Sequence, residues 1–226
     1  MKYKNTYQAK FINRPNRFIA YAELEGRDVV THVKNTGRCR ELLVPGATVI
    51  LEKSSNPDRK TPYDLVAVYK KGILINMDSQ APNAVFSEWL KTTDFFGELS
   101  LIRPECKFGN SRFDFYLEAG ERKIFVEVKG VTLENEGIVL FPDAPTERGV
   151  KHLNELAEAI CDGYEAYVFF VIQMNGCKYF TPNEKTHKEF ADTLRRVSEK
   201  GVTVKAVCCS VTENSLEISD FAEVVL

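Results

Sequence analysis

The residues from Ser111 to Gly130 alternate between apolar and other side chains, and this pattern constrains the fold more than any other stretch of the chain. Their sequence is SRFDFYLEAGERKIFVEVKG. The alternation predicts two β-strands, and glycine at the first central position of Gly120–Glu121 favours a type II′ turn between them. Pairing the strands outwards from that turn places Asp114 opposite Glu127.

The predicted hairpin has one apolar face, which we expect to lie in the core. Its members are Phe113, Phe115, Leu117, Ile124, Val126 and Val128. The opposite face carries charge at the end distant from the turn, where Asp114 and Glu127 lie beside Arg112 and Lys129. Because like charges directly opposite each other across two strands are destabilising, we expect a cation near the two carboxylates.

Two interpretations of this charge cluster are open. Arg112 and Lys129 could neutralise the carboxylates in a surface ion cluster, in which each exposed pair contributes about 1 kcal/mol or less. Alternatively, Asp114 and Glu127 could bind Mg²⁺, which takes one or two carboxylates together with water and substrate phosphates. Lys129 would then orient or deprotonate a water molecule in metal-assisted phosphodiester hydrolysis. Asp…Glu-Val-Lys in a hairpin resembles the core of the PD-(D/E)XK nuclease superfamily.

Composition places the chain among ordinary globular proteins. Of its 226 residues, 44% are hydrophobic and 27% are charged, and the length allows one or two domains. None of its six cysteines forms a C-x-x-C pair, so we expect reduced thiols and a cytoplasmic location. Because MKYKNTYQ contains no apolar signal segment and no apolar run reaches about 18 residues, we expect neither secretion nor a membrane partner.

The first 80 residues predict an all-β unit. Short runs rich in β-branched and aromatic residues alternate with turn residues such as Pro45–Gly46 and Asn56–Pro57. Five or six such strands favour a small barrel of the OB type. A polar break that contains a proline follows, and it divides the chain into predicted domains 1–80 and 81–226.

Cations and amide donors gather in the stretch HVKNTGR and just after it. Lys34, Asn35, Arg38 and Arg40 could contact phosphate oxygens, which position nucleic acid without reading its sequence. A solvated turn accounts for the same residues without a ligand. The first 80 residues carry 14 Lys and Arg against 8 Asp and Glu, whereas the remainder carries 16 against 24. A basic unit of this kind suits a module that meets phosphates.

After the break, helical and strand patterns alternate, which favours an α/β architecture with a mixed sheet. A predicted helix at Ala84–Lys91 carries Glu88, which is either a further metal ligand or a surface residue. A second helix has an apolar stripe with Arg148, Lys151 and His152 at neighbouring positions. These three side chains could contact phosphates beside the carboxylates, with His152 able to transfer protons, or they could form a solvated shoulder.

Three separated motifs together resemble the sugar fermentation stimulation protein A family. They are HVKNTGR, the hairpin with RFD and EVK, and FPDAPTERGVKHL at residues 141–153. The resemblance covers nearly the whole chain. It implies an N-terminal OB-like domain, a C-terminal PD-(D/E)XK nuclease-like domain, DNA binding without strong sequence preference, and regulation of sugar metabolism, particularly that of maltose. It also matches Asp114, Glu127 and Lys129 to the nuclease core, although Phe113 replaces the proline that usually precedes the aspartate.

Three functional hypotheses follow. The first is a DNA-binding protein that uses its nuclease-like domain as a scaffold. The second is a DNA phosphodiesterase in which Asp114 and Glu127, with Glu88, bind Mg²⁺ or Mn²⁺ and Lys129 activates water. The third is a protein unrelated to nucleic acids, whose charged clusters are surface decoration. The residues expected to contact DNA are Lys34, Asn35, Arg38, Arg40, Arg112, Arg148, Lys151 and His152.

Overall fold

The computed structural model describes residues 1–35 and 37–226, and Thr36 of the HVKNTGR motif lies outside them. The N-terminal part is a barrel of short strands. These are β1 (Thr6–Asn13), β2 (Ile19–Leu24), β3 (Arg27–Val33), β4 (Thr48–Lys53), β5 (Tyr63–Lys70) and β6 (Ile73–Asn76). They pair in the order β3-β2-β1-β4-β5-β6, and an additional parallel pairing of β3 with β5 closes the first five into a barrel. The expected OB-like fold is confirmed.

Alternation along the barrel strands separates core from surface. In β2, for example, Ala20, Ala22 and Leu24 are buried, whereas Tyr21 and Glu23 are exposed. The inward side chains fill the barrel, so the loops and outward side chains are the groups available to a ligand.

The C-terminal part is a nine-stranded mixed sheet with three helices, formed by residues 81–226, all of which the structure describes. Its strands are β7 (Leu101–Phe108), β8 (Ser111–Ala119), β9 (Arg122–Val131), β10 (Leu133–Asn135), β11 (Ile138–Phe141), β12 (Glu165–Ile172), β13 (Tyr179–Pro182), β14 (Thr203–Thr212) and β15 (Ser215–Val224). Its helices are α1 (Ala81–Trp89), α2 (Glu147–Cys161) and α3 (Lys188–Glu199). The strand order β10-β11-β13-β15-β14-β12-β9-β8-β7 places β9 beside the parallel strand β12. The predicted α/β class with a mixed sheet is confirmed.

The turn of the predicted hairpin is confirmed. Strands β8 and β9 are antiparallel, and Phe115 pairs with Val126 as the position of the turn requires. Gly120 has a φ of +60°, in the left-handed region that glycine adopts without steric cost.

Helices cover both faces of the large sheet. On one face, the ring of Phe86 in α1 packs 5.4 Å from that of Phe115, measured between centroids. On the other face, Leu153 of α2 is buried in a separate apolar cluster. Because this second face is covered as well, Tyr116 and Phe125 of the hairpin are buried, which the expectation of a single core face did not anticipate.

Phe113 lies on the face opposite to the predicted one. Its ring packs 5.2 Å from Phe125 in the cluster that contacts α2, whereas Phe115 belongs to the cluster on the α1 side. Strict alternation would place Phe113 and Phe115 together, so the strand loses its regular period at Asp114. The prediction failed because it assumed an uninterrupted ladder through this residue.

Helix boundaries differ from those that the sequence predicted. Helix α1 begins at Ala81 rather than Ala84, since Pro82 in its first turn breaks no hydrogen bond there. Helix α3 begins at Lys188 rather than Glu184. Strand β13, which we did not predict, ends at Pro182 directly before that region.

The structure brings the sulfur atoms of Cys177 and Cys208 into contact. The free cysteines are Cys39, Cys106, Cys161 and Cys209. No helix in the described ranges combines the length and the apolar character that crossing a membrane requires.

A buried polar network joins the two parts of the chain. Gln173 of the large sheet donates from Nε2 to Oδ1 of Asn76 at 2.9 Å, and Asn76 donates from Nδ2 to the Tyr3 hydroxyl at 2.8 Å. The carboxylate of Asp78, which is fully buried, accepts from Tyr3 and pairs with Lys34 at 2.5 Å. Since buried polar groups are costly unless satisfied, this network fixes the barrel against the large sheet.

Candidate functional site

Asp114 lies where the ladder between β8 and β9 ends. Its Oδ2 accepts a hydrogen bond from the backbone N–H of Val128 at 2.7 Å, and its Oδ1 accepts one from Nδ2 of Asn83 at 2.8 Å. The carboxylate thus takes the place of a backbone partner for β9, while α1 holds it from the other side. This arrangement explains the loss of period in β8, and it replaces the direct pairing of Asp114 with Glu127 that we predicted.

Glu127 is a buried carboxylate with one oxygen occupied and one open. Its Oε1 contacts Nζ of Lys129 and Nδ1 of His152, each at 2.5 Å. Its Oε2 is buried and has no hydrogen-bond partner among the described residues. The side chain is only 3% exposed, so this open oxygen cannot be satisfied by bulk water.

Helix α2 supplies the imidazole that holds Glu127. The helix begins after Thr146, whose hydroxyl accepts from the N–H of Gly149 at 3.1 Å as an N-cap. Nε of Arg148 donates to Nε2 of His152 at 3.3 Å, so the proton of the neutral imidazole is on Nδ1 and points at Glu127. His152, which we expected to contact DNA, is therefore a buried partner of the carboxylate.

The two carboxylates have pKa values shifted in opposite directions. Burial and the negative charge of Glu127 raise the pKa of Asp114, despite the opposing effects of Val128, Asn83 and Lys129. Burial also favours the neutral form of Glu127, but the hydrogen bond from His152 and the charge of Lys129 outweigh it and lower that pKa. The repulsion predicted from the sequence is therefore present, and it falls on Asp114.

The residues present fit a hard divalent cation. Carboxylate oxygens are the ligands that Mg²⁺ prefers, and the buried, unpartnered Oε2 of Glu127 lacks a counter-charge of its own. Within the described ranges, no three His, Cys, Asp or Glu side chains gather into a metal-binding group. Asp114 and Glu127 would therefore hold the ion with water or phosphate oxygens in the remaining positions, as Mg²⁺ commonly requires.

Glu88 is not brought to this site. Its carboxylate pairs with the amino group of Met1 and its side chain is 58% exposed, so the structure gives it a role in fixing the N-terminus. Asn83, one and a half turns earlier in α1, contacts Asp114 instead. The expectation of Glu88 as a ligand fails because helix α1 presents its first turn, and not its last, to the carboxylates.

The remaining cations near the site differ in their availability. Arg148 is exposed at the start of α2. Lys151 donates to the backbone oxygen of Asn110 at 3.2 Å and is 52% exposed. Arg112 is 64% exposed and contacts Glu105 at 3.3 Å. All three reach solvent and could meet an anionic ligand there.

Two of the four cationic and amide residues predicted on the barrel have structural roles. Lys34 pairs with the buried Asp78. Asn35 donates from Nδ2 to the backbone oxygen of Met77 at 3.0 Å and accepts from the N–H of Gly37 at 2.7 Å. These contacts shape the loop and attach it to the segment between β6 and α1.

Arg38 and Arg40 are exposed and border a cavity of about 490 Å³ that Arg14 and Arg17 also line. Arg14 is the organiser of this surface, since its guanidinium donates to four backbone oxygens, including those of Arg17 and Gly37. No Asp or Glu lines this cavity among the residues that the structure describes. We call Arg17, Arg38 and Arg40 the arginine surface.

The arginine surface and the strand that carries Glu127 border two neighbouring cavities. Gly37 contributes to the cavity at that surface and also to a second cavity of about 370 Å³ between the barrel and the large sheet. The second cavity is lined by Gly130, which directly follows Lys129, and by residues 141–146 before α2. A Cβ atom on Gly37 would lie 3.0 Å from Oδ2 of Asp143, so the two motifs approach each other closely at this glycine.

Comparison with known proteins agrees with this architecture. The family model described as "Sugar fermentation stimulation protein RE domain" matches residues 80–215, and "SfsA N-terminal OB domain" matches residues 12–77. The sugar fermentation stimulation protein homolog of Desulfitobacterium hafniense (strain DSM 10664 / DCB-2) is 60% identical over 226 residues, which cover 100% of this chain and 99% of that protein. The chain belongs to the sugar fermentation stimulation protein family.

Other members of the sugar fermentation stimulation protein family are similar along their whole length. The homolog of Clostridium beijerinckii is 58% identical and is covered completely, as is this chain. The solved structure of Pyrococcus furiosus SfsA in complex with Ca²⁺ is similar with a TM-score of 0.89 and 24% identity, covering 100% of this chain and 98% of that one. This structural similarity establishes a shared fold.

In this family member, sequence reasoning missed Asn83, Arg14 and Arg17. Nothing in the sequence marked Asn83 as a site residue, because it follows a proline in a polar segment that is typical of a linker. Arg14 and Arg17 lie between β1 and β2, and their spacing from Arg38 and Arg40 becomes meaningful only when the barrel closes. A count of cations in loops on either side of β2 and β3 would have drawn attention to them.

Proposed function

We propose that this protein binds DNA through its arginine surface without strong sequence preference. The observation that carries the proposal is the exposure of Arg17, Arg38 and Arg40 around one cavity that no described carboxylate lines. Arginine side chains hold phosphate oxygens through two parallel donors. Contacts of this kind give affinity and orientation, and they do not discriminate between base sequences.

The salt dependence of binding tests this proposal. Fluorescence anisotropy with several unrelated DNA duplexes should give similar dissociation constants at each salt concentration. The logarithm of affinity should fall linearly with the logarithm of salt concentration, by about 0.9 for each phosphate contacted. Binding that is absent or insensitive to salt overturns the proposal, and a strong preference for one duplex overturns the lack of specificity.

The relatives' name motivates one extension of the proposal. They are named for stimulation of sugar fermentation, and we extend the proposal to regulation of sugar metabolism, particularly of maltose, through DNA binding. Transcripts of sugar-fermentation genes should change in cells that carry a variant lacking the arginine surface. Unchanged transcripts would contradict this extension. They would not bear on DNA binding itself, which the salt experiment tests.

A second candidate function, metal-dependent cleavage of DNA, is supported by the open oxygen of Glu127. Asp114 and Glu127 would hold Mg²⁺ or Mn²⁺, a hard divalent cation like the Ca²⁺ named for the Pyrococcus furiosus protein. When bound, the ion supplies charge stabilisation at the scissile phosphate. Lys129, at 17% exposure and beside Glu127, would orient the attacking water.

Within this second candidate, the other side chains have supporting roles. His152 holds Glu127 by Oε1 and leaves Oε2 without a partner among the described residues. Asn83 and the N–H of Val128 hold Asp114. Arg148 is exposed at the start of α2 and would bind a phosphate next to the one being cleaved.

Cleavage assays separate this second candidate from a binding scaffold. Plasmid and single-stranded DNA should be cut in the presence of Mg²⁺ or Mn²⁺, and Glu127→Gln should abolish the activity. No cleavage by folded protein in either metal would leave DNA binding as the sole function proposed. Cleavage that survives Glu127→Gln would assign the activity to a contaminant or another site.

A further inference from the structure

A polar cavity on the barrel lies beside the arginine surface and is not part of it. Its volume is about 340 Å³, within the range of small-molecule pockets. It is formed where the start of β2, the end of β3 and the β4–β5 loop meet the segment before α1. The lining residues that matter are Phe18, His32, Lys34, Arg59, Asp64 and Gln80.

Phe18 is an exposed aromatic ring held on a fixed backbone. Phe18 is 56% exposed, the highest fraction among the large exposed hydrophobic residues. Its N–H donates to Oδ1 of Asn16 at 2.9 Å, and its carbonyl accepts from the N–H of Val33 at 2.8 Å. A large apolar ring that is anchored in this way at the mouth of a polar cavity can stack on a planar ligand without first being ordered.

The cavity also holds a rigid set of hydrogen-bonding groups. Two nitrogens of Arg59 donate to the two oxygens of Asp64, each at 2.8 Å, and Nδ1 of His32 lies 2.9 Å from Oδ1 of Asp64. Burial favours neutral Asp64, but the hydrogen bonds from Arg59 and His32 outweigh it and lower its pKa. Asp64 therefore stays ionised and fixes both partners.

Donor and acceptor capacity remains after these contacts are made. Among the described residues nothing partners Nε2 of His32, whose side chain is 35% exposed. Gln80 is exposed and also lines the cavity. A planar ligand with both donors and acceptors along its edge fits such a set, and nucleobases have that character.

The cavity is continuous with the phosphate-binding surface proposed above. Asn35 and Ser79 line it and also line the cavity between the barrel and the large sheet, which Gly37 in turn shares with the arginine surface. A strand whose phosphates lie along the arginines would therefore pass the mouth of this cavity. In OB-fold proteins, strands 2 and 3 and the loops flanking them bind oligonucleotides.

We propose that this cavity accepts one unstacked nucleobase of a single-stranded nucleic acid, with the base stacked on Phe18 and its edge facing His32 and Gln80. The inference rests on the proposed DNA binding and goes further, because it names single strands as the preferred ligand. In a duplex the bases are paired and stacked, so none can enter the cavity unless it is flipped out at a cost of several kcal/mol.

The experiment compares Phe18→Ala with wild-type protein in binding a short oligothymidylate and a duplex of the same length. Phe18→Ala should weaken binding of the oligothymidylate by about 5- to 150-fold, since each stacked base contributes about 1–3 kcal/mol. Duplex affinity should stay the same, and Phe18→Tyr should restore single-strand binding. Phe221→Ala is the matched control, because Phe221 is another exposed phenylalanine, at 52%, on the large sheet; it should not change either affinity.

Each alternative outcome has a distinct meaning. If wild-type protein binds neither DNA, the proposed function and this inference both fail. If it binds both forms and Phe18→Ala changes neither affinity, only the inference fails. If a neutral glucan oligosaccharide binds in a manner that Phe18→Ala abolishes, while oligothymidylate binding is unaffected, the cavity is a sugar site and the inference is overturned.

Discussion

Nδ1 of His152 lies 2.5 Å from Oε1 of Glu127, and the two side chains are only 5% and 3% exposed. The contact joins the second strand of the central hairpin to helix α2. It holds one carboxylate oxygen and leaves the other open, so it orients Glu127 as well as stabilising its charge. Buried contacts to an ionised group are among the stronger hydrogen bonds in proteins.

We predict that His152→Ala lowers the free energy of unfolding by about 1.5–3 kcal/mol, because it removes a hydrogen bond to a charged, buried acceptor. Urea denaturation at pH 7 measures this change. Lys151→Ala, at the next position of the same helix and 52% exposed, is the control and should stay within about 0.5 kcal/mol of wild type. Equal losses in the two variants would contradict a stabilising contact between His152 and Glu127.

We predict that Glu127→Gln abolishes stabilisation by divalent metal. If Asp114 and Glu127 bind the ion, Mn²⁺ at about 100 times its dissociation constant should add about 2.7 kcal/mol to the free energy of unfolding of wild-type protein. Thermal denaturation with and without Mn²⁺ detects the corresponding rise in Tm. Glu88→Gln should keep the full rise, since Glu88 lies with the N-terminus. A metal-dependent rise that persists in Glu127→Gln would place the ion elsewhere.

We predict a pH-dependent effect of Asp64→Asn. The pKa of Asp64 in the folded protein is below its ordinary value of 3.8, so the unfolded chain binds more protons in that range and the ionised group stabilises the fold at higher pH. At pH 7 the variant should lose about 1.5–3 kcal/mol in the free energy of unfolding, the usual contribution of hydrogen bonds to a charged group. The difference from wild type should shrink as the pH falls through 3.8 and below.

Urea denaturation between pH 7 and pH 3 measures that difference. Asp58→Asn provides the comparison, because Asp58 is an exposed carboxylate of the β4–β5 loop, directly before Arg59. It should show a small effect that hardly changes with pH. A loss for Asp64→Asn that is constant across the range would mean that the contacts of Asp64 do not depend on its charge.

Local patterns predicted much of the fold. The turn at Gly120–Glu121 follows from one glycine between two alternating runs, and its register is confirmed. The apolar runs also predict the barrel strands and β12, because strand alternation and β-branched residues are properties of a short segment. Closure of the barrel through β3 and β5 depends on contacts distant in sequence and was inferred only from the number of strands.

The site was less accessible to sequence reasoning for physical reasons. Phe113 was predicted on the wrong face of the sheet. The carboxylate of Asp114 accepts a hydrogen bond from a backbone N–H of β9, and this interrupts the alternation of side chains. Glu88 was a candidate metal ligand because it is acidic and lies on the predicted helix before the hairpin. In the structure, helix α1 presents Asn83 to Asp114 instead. His152 was correctly placed near the hairpin, although its burial against Glu127 depends on how α2 packs.

Substitutions in the arginine surface test most directly whether the protein binds DNA through phosphate contacts. Arg38→Ala and Arg40→Ala together should weaken duplex binding to a similar degree for unrelated sequences, because both side chains are expected to contact phosphates only. Lys123→Ala, an exposed cation at the turn end of β9, is the control and should bind as wild type does.

The decisive measurement is the slope of log affinity against log salt concentration, obtained by fluorescence anisotropy for wild type and the double arginine variant. We expect the slope to become shallower by about 1.8 in the double variant, since each lost phosphate contact removes about 0.9. An unchanged slope, or a loss of affinity confined to one DNA sequence, would contradict the assignment of this surface to the nucleic-acid backbone.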